Sequence, residues 1–258
     1  MKPSAVAILF LTHQSTRSIM DEFRRISGSS MDIATSYILL HTHNKSRYGK
    51  KNGVIRFTYG DLSKLGYTSM AASIIPGSAH FPLLYFFLTH PQFKYYWVVE
   101  HDVRFSGDWR MFFDAFRESK ADLLASHVRA FHEEPQWYWW RHLSHPDTII
   151  PPAQLLHSFH PIYRLSNAAL RYLHHCHRDQ WCGHFEVLIP TLLHHGGFDI
   201  EDFGGSGRFT APGNRNRFYT EGPAGTLRWR PAFSEIGTEQ CKLYHPVKAS
   251  DCATGGIA

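Results

Sequence analysis

An α/β fold with a mostly parallel central sheet covered by helices is what this sequence predicts, on three observations. Aromatic or β-branched apolar runs alternate with amphipathic segments through the first half of the chain, which is the rhythm of βαβ units. His13, His43 and the group Glu100-His101-Asp102 each fall just after such a run, where open parallel sheets place their ligands. The composition, 43% apolar and 19% charged in 258 residues, suits one globular domain with a sizeable core.

Each element can be justified in order. Val6 to Leu11, within "VAILFLTH", is the first core strand, and "STRSIMDEFRRIS" follows as a helix with Ser15 as its N-cap. "SYILLHTH" and "NGVIRFTY" are the second and third strands. "SAHFPLLYFFLTH" has the length of a helix, with Pro82 in its first turn. "YYWVVEHD" is the fourth strand, and "DWRMFFDAFRES" an amphipathic helix with Phe112, Phe113 and Phe116 at helical spacing. Trp97 and Trp109 read as core and helix-cap packing. "ADLLASHV" is the fifth strand.

Beyond it, residues 129–156 are aromatic and Pro-punctuated, with Trp137, Trp139 and Trp140 in four positions. They form either a ligand-facing insertion or a packed loop over the sheet. "HSFHPIYRLS" is a strand and "NAALRYLHHCH" a helix. "HFEVLIPTLLHHGG" is a helix interrupted by Pro190 and ended at Gly196, and "FDIEDFG" is a short strand or turn. The rest, from 204 to 258, is rich in Gly, Pro, Arg and aromatics and reads as loop with short strands. The expected organisation is one domain, 1–258, with a nucleotide-binding half to residue 128 and an acceptor-side half beyond.

The formal net charge of +5 comes from scattered basic residues. That favours anionic small ligands or an anionic membrane surface and excludes a dedicated nucleic-acid arm. No apolar run approaches the roughly 20 residues that span a bilayer, and the N-terminal run lacks the marks of a signal peptide. Four cysteines, Cys176, Cys182, Cys241 and Cys252, form no dense framework. Free thiols and a cytoplasmic location, with peripheral attachment to the inner face of the membrane as an option, are the expectation.

A buried strand that ends in two carboxylates needs something to pair with them. Mg²⁺ or Mn²⁺ is one such partner, because hard cations take oxygen ligands and share them with substrate phosphates. A polar strand end is the plain alternative. In "HHCHRDQWCGH", Cys176, Cys182 and His184 are zinc-ligand types without zinc-ligand spacing, and a zinc-dependent hydrolase built on them is one rival reading. The Gly-rich stretch 202–218 lacks the P-loop order. Its Arg208, Arg215 and Arg217 suggest a lid over an anionic ligand.

The layout resembles that of glycosyltransferases of the GT-A fold, which use nucleotide-sugar donors and open with a Rossmann-like region. Glu100-His101-Asp102 resembles their DxD motif, with Glu in the first place. "GHFEVLIPTLL" resembles their xED segment, and "KLYHPVK" carries a late histidine like the one that joins the metal or diphosphate in several such families. The resemblance implies Asp102 and His245 as ligands of Mn²⁺ or Mg²⁺, and Glu100 and Lys248 as donor contacts. It implies Glu186 as the general base, with His184 as its rival; Glu186 is otherwise a helix N-terminal acid. Thr12, His13 and His43 join the donor site by their place at strand ends. The implied activity is inverting transfer of a hexose from a UDP- or GDP-sugar to a saccharide or glycolipid hydroxyl, in polysaccharide biosynthesis. A non-catalytic nucleotide-sugar or glycan-binding module is the alternative.

Overall fold

The computed structural model describes residues 4–43 and 53–248. Cys252 and Asn52, where the third strand was expected to begin, lie outside the described residues. The elements run β1 (Val6–Thr12), α1 (Arg17–Ser30), β2 (Thr35–His41), β3 (Val54–Phe57), α2 (Tyr59–Ser63), α3 (Phe81–Thr89), β4 (Tyr95–Glu100) and β5 (Arg104–Phe105). They continue with α4 (Trp109–Ala115), β6 (Leu123–Ala130), β7 (Leu156–Ser166), α5 (Asn167–Arg178), α6 (Phe185–His195), β8 (Ile200–Asp202) and β9 (Leu243–Tyr244).

Seven strands form the central sheet in the order β3-β2-β1-β4-β7-β6-β8. β1 pairs in parallel with β2 and β4, β2 with β3, and β6 with β8; β7 alone runs antiparallel to its neighbours β4 and β6. The sheet is therefore mostly parallel, in an α/β domain, as the alternation predicts. Both faces are covered. Ala7, Leu9, Tyr96 and Val98 point into one apolar layer, and Ile8, Phe10, Trp97 and Val99 into the other. Burial on both faces is why β1 and β4 read as continuous apolar runs rather than alternating ones.

Three details of the sequence reading change. The N-cap of α1 is Thr16, not Ser15: Thr16 is the last extended residue, and its hydroxyl accepts from the Ile19 amide. α6 runs unbroken through Pro190, at the cost of the one bond that its missing amide would give the Glu186 carbonyl. The aromatic segment 129–156 packs against the domain: Trp140 is buried, its indole donates to the Glu134 carbonyl at 2.8 Å, and Trp137 stacks on His157 with centroids 4.4 Å apart. Tyr138 stays 56% exposed.

Candidate functional site

Parallel strands bring their carboxyl ends to one edge, and the candidate site lies along it. A cleft of about 770 Å³ opens there, lined by Thr12 and His13 at the end of β1, His41 and His43 at the end of β2, Glu100, His101 and Asp102 at the end of β4, and Lys248 from the C-terminal tail. Phe57, Tyr59, Ile74 and Ile75 add apolar lining. All six residues expected around the donor, Thr12, His13, His43, Glu100, Asp102 and Lys248, line this one cleft. Thr12 is buried, and its hydroxyl donates to the Gln14 carbonyl at 2.7 Å while accepting the Gln14 amide. It shapes the turn after β1.

His245 reaches the same edge through the two-stranded sheet. β5, just past Asp102, pairs antiparallel with β9, just before His245, with Arg104 opposite Tyr244. The Val247 amide then donates to the Asp102 carbonyl at 2.8 Å. This stitching sets His245 Nε2 at 3.5 Å from both Glu100 Oε2 and Asp102 Oδ1. Ligand atoms of Glu100, Asp102 and His245 all lie within 4.8 Å of one another, the one such trio of His, Cys, Asp or Glu among the described residues. Cys176, Cys182 and His184 form no such group, so the zinc reading loses its site.

The donor set fits a divalent cation. The main-chain carbonyl of Arg228 lies 2.8 Å from His245 Nδ1 and can only accept, so Nδ1 carries a proton and Nε2 is turned to the carboxylates. This is how the second nitrogen of a metal-binding histidine is usually held. Two carboxylates and an imidazole suit Mn²⁺ or Mg²⁺. Without a cation, the imidazolium takes its place. Burial alone would lower the His245 pKa, but the hydrogen bonds and charges of Asp102 and Glu100 raise it to about 9. Burial pushes Asp102 up, and His245 with His101 overrules it, leaving about 2. The two partners shift in the directions a shared ion pair requires.

Glu186 stands on the first turn of α6, capped by His184. Its side chain is 14% exposed, and the His160 amide donates to its Oε1 at 3.3 Å. Burial, joined by the negative charge of Glu100 and against the His160 hydrogen bond, raises its pKa to about 8. Burial lowers the pKa of the neighbouring His184 to about 4, which makes it the weaker proton acceptor of the two, and its Nδ1 accepts the Glu186 amide at 3.4 Å. Gly183 lets the main chain of His142 and Leu143 pack close beside this cap: a Cβ there would meet the His142 carbonyl at 2.5 Å.

His101, read from the sequence as part of the strand-end group, and Glu22, which the sequence reading missed, also bear on the site. His101, wedged edge-on against His13 with centroids 4.9 Å apart, has its pKa lowered, chiefly by burial. Glu22 is 4% exposed and accepts from the Trp109 indole at 2.7 Å and from Arg25 at 2.8 Å. Its signal was present: Glu22 falls between Ile19 and Ile26 on the apolar face of its helix, where an unpaired acid has no place. The Gly-rich stretch is anchored at its start, where Asp202 accepts the amides of Gly204 and Gly205 at 2.9 Å and the Tyr219 hydroxyl.

A family described as "Protein of unknown function (DUF3405)" matches residues 52–123, which hold β3, β4 and Glu100-His101-Asp102. No curated protein matches the sequence. Among solved structures, the chain is similar to the galactosyltransferase LgtC in complex with donor and acceptor sugar analogs, at 8% identity and TM-score 0.45, over 77% of this chain and 73% of that one. It is similar to a protein assigned as a glucose-1-phosphate thymidylyltransferase from Bacillus anthracis, in complex with sucrose, at 12% identity and TM-score 0.41, over 78% and 87%. It is also similar to 4-diphosphocytidyl-2C-methyl-D-erythritol synthase from Anaerococcus prevotii, at 5% identity and TM-score 0.43, over 77% and 88%. What this site can do is read from its own residues.

Proposed function

We propose that the protein is a metal-dependent glycosyltransferase that moves a sugar from a nucleotide-diphosphate donor, a UDP- or GDP-sugar, to a hydroxyl of a saccharide or glycolipid. The observation that carries this reading is the meeting of Glu100, Asp102 and His245 at ligand distance, with Glu100 and Asp102 lining a cleft of about 770 Å³. The cleft combines polar residues at the strand ends, suited to a diphosphate, with apolar side chains suited to a nucleoside.

Glu100, Asp102 and His245 would hold the divalent ion. Bound there, it supplies charge that stabilises the departing diphosphate. Lys248 and the imidazoles of His13 and His101 add donors at the same end. Glu186 is the proposed base. Its raised pKa makes its carboxylate, once ionised, a stronger acceptor of a proton than an ordinary glutamate. As Glu186 takes the hydroxyl proton, the acceptor oxygen bonds to the anomeric carbon, and the bond to the diphosphate breaks with its electron pair. That is a single displacement with inversion.

Among the described residues no helix is long and apolar enough to cross a membrane. Action on the cytoplasmic side, with a glycolipid acceptor presented at the membrane surface, belongs to the same proposal. Incubation with UDP- and GDP-sugars, with and without Mn²⁺, tests it. Release of the nucleoside diphosphate by the wild type that needs the metal, and is lost in Asp102→Ala, is the expected result. Donor that binds but is never turned over, with water or with added saccharides, would favour a binding module instead.

A further inference from the structure

We propose that the buried pair Glu22–Arg104 is a positioning device for the metal-ligating turn, an assignment that rests on the metal reading of Glu100, Asp102 and His245. Arg104 is 7% exposed. One of its guanidinium nitrogens donates to the His101 carbonyl at 2.7 Å and to the Val103 carbonyl at 2.9 Å. These two carbonyls flank Asp102, so the guanidinium grips the turn through its main chain, while the Asp102 side chain meets His245.

Arg104 is itself held. Its Nε lies 3.8 Å from Glu22 Oε2, and the Glu22 carboxylate is fixed in α1 by the Trp109 indole at 2.7 Å and by Arg25 at 2.8 Å. Arg25 reaches on to the carbonyls of Phe105 and Gly107. One carboxylate from α1 thus anchors the whole stretch from His101 to Trp109. A charge buried in this way is retained at a desolvation cost, and the Trp109 indole of α4, which needs only an acceptor, does not call for it. Placement of Asp102 does, because a first ligand group works only when its support fixes it.

The sign of one effect separates positioning from electrostatics. Arg104 is a cation close to the cation site. If its charge were all that mattered, Arg104→Gln would bind Mn²⁺ more tightly. Positioning requires weaker binding. The test is Mn²⁺ titration of the full chain without nucleotide, with wild type, Arg104→Gln, Arg104→Lys and Glu22→Gln, each shown to be folded by circular dichroism. Amide exchange of Val247, whose N–H bonds the Asp102 carbonyl, is measured in metal-free protein.

Arg104→Gln is expected to weaken Mn²⁺ binding about tenfold and to speed Val247 exchange, while Arg104→Lys restores part of both. Glu22→Gln is expected to follow Arg104→Gln in Val247 exchange. Folded Arg104→Gln with Mn²⁺ affinity equal to or above wild type, and unchanged Val247 exchange, would overturn the proposal. So would a loss of nucleoside-diphosphate affinity with Mn²⁺ affinity intact, which would make Arg104 a phosphate contact. A wild type that takes up no Mn²⁺ would sink the metal reading instead; Val247 exchange then still decides whether the clamp holds the turn.

Discussion

His245 is pulled two ways, and the outcome sets how the metal-free protein responds to pH. Its contribution to stability is complete below its unfolded pKa, near 6.5, and is lost as pH rises through about 9. Glu186 acts in the same direction, its contribution fading from about 4.5 through about 8. Asp102 acts in the opposite sense, and its contribution is lost only as pH falls toward about 2. Burial holds His80, His160, His177 and His184 below 6.5, so their contribution grows as pH rises and is complete above about 7.5. In EDTA, the melting temperature is therefore expected to fall between about pH 7.5 and 9, and His245→Gln to flatten that fall. A fall of equal size in His245→Gln would contradict the shared ion pair. Glu186→Gln tests the base at the same scale. Transfer should drop about 10²- to 10⁴-fold with nucleotide affinity unchanged, as read by steady-state kinetics beside a binding titration.

α4 shows how much of an element a sequence discloses. Phe112, Phe113 and Phe116 stand at helical spacing, and in the fold they meet Trp97, Phe203 and Phe218. A helix of seven residues holds little by itself, so this aromatic face carries it. Phe112→Ala should cost about 3–5 kcal/mol, measured by urea unfolding. The strands of the parallel sheet were legible for the same reason, since burial on both faces leaves continuous apolar runs. β5 and β9 were not. Each has two residues, too few for a period, and their pairing joins distant parts of the chain. Tyr59–Ser63 was missed likewise: its helix is a single turn, set by the capping box of Thr58 and Asp61.

At the scale of the whole molecule, the proposed site draws on three separate regions of the chain: the end of β4, the first turn of α6, and the segment after β9. The strand-end residues could be placed from sequence, because strand direction follows from the βαβ rhythm. That His245 meets Asp102 could not be derived from pattern, since it rests on the β5–β9 pairing and the Val247 amide; only the resemblance suggested it. The clamp by Glu22 and Arg104 lay hidden as an acid on an apolar helix face. Because Mn²⁺ and a nucleoside diphosphate would bind only the assembled site, they should stabilise the native state by about 2.7 kcal/mol at a hundred times their dissociation constant. That is a rise in melting temperature of about 5–10 °C, absent in Asp102→Ala. The measurement that tests the central claim most directly is calorimetric titration of UDP and of GDP, each with and without Mn²⁺, into wild type and Asp102→Ala. The account predicts that at least one nucleotide binds, and that binding needs both the metal and Asp102. Metal-independent binding that is unchanged in Asp102→Ala would contradict it and reduce Glu100-His101-Asp102 to a polar strand end.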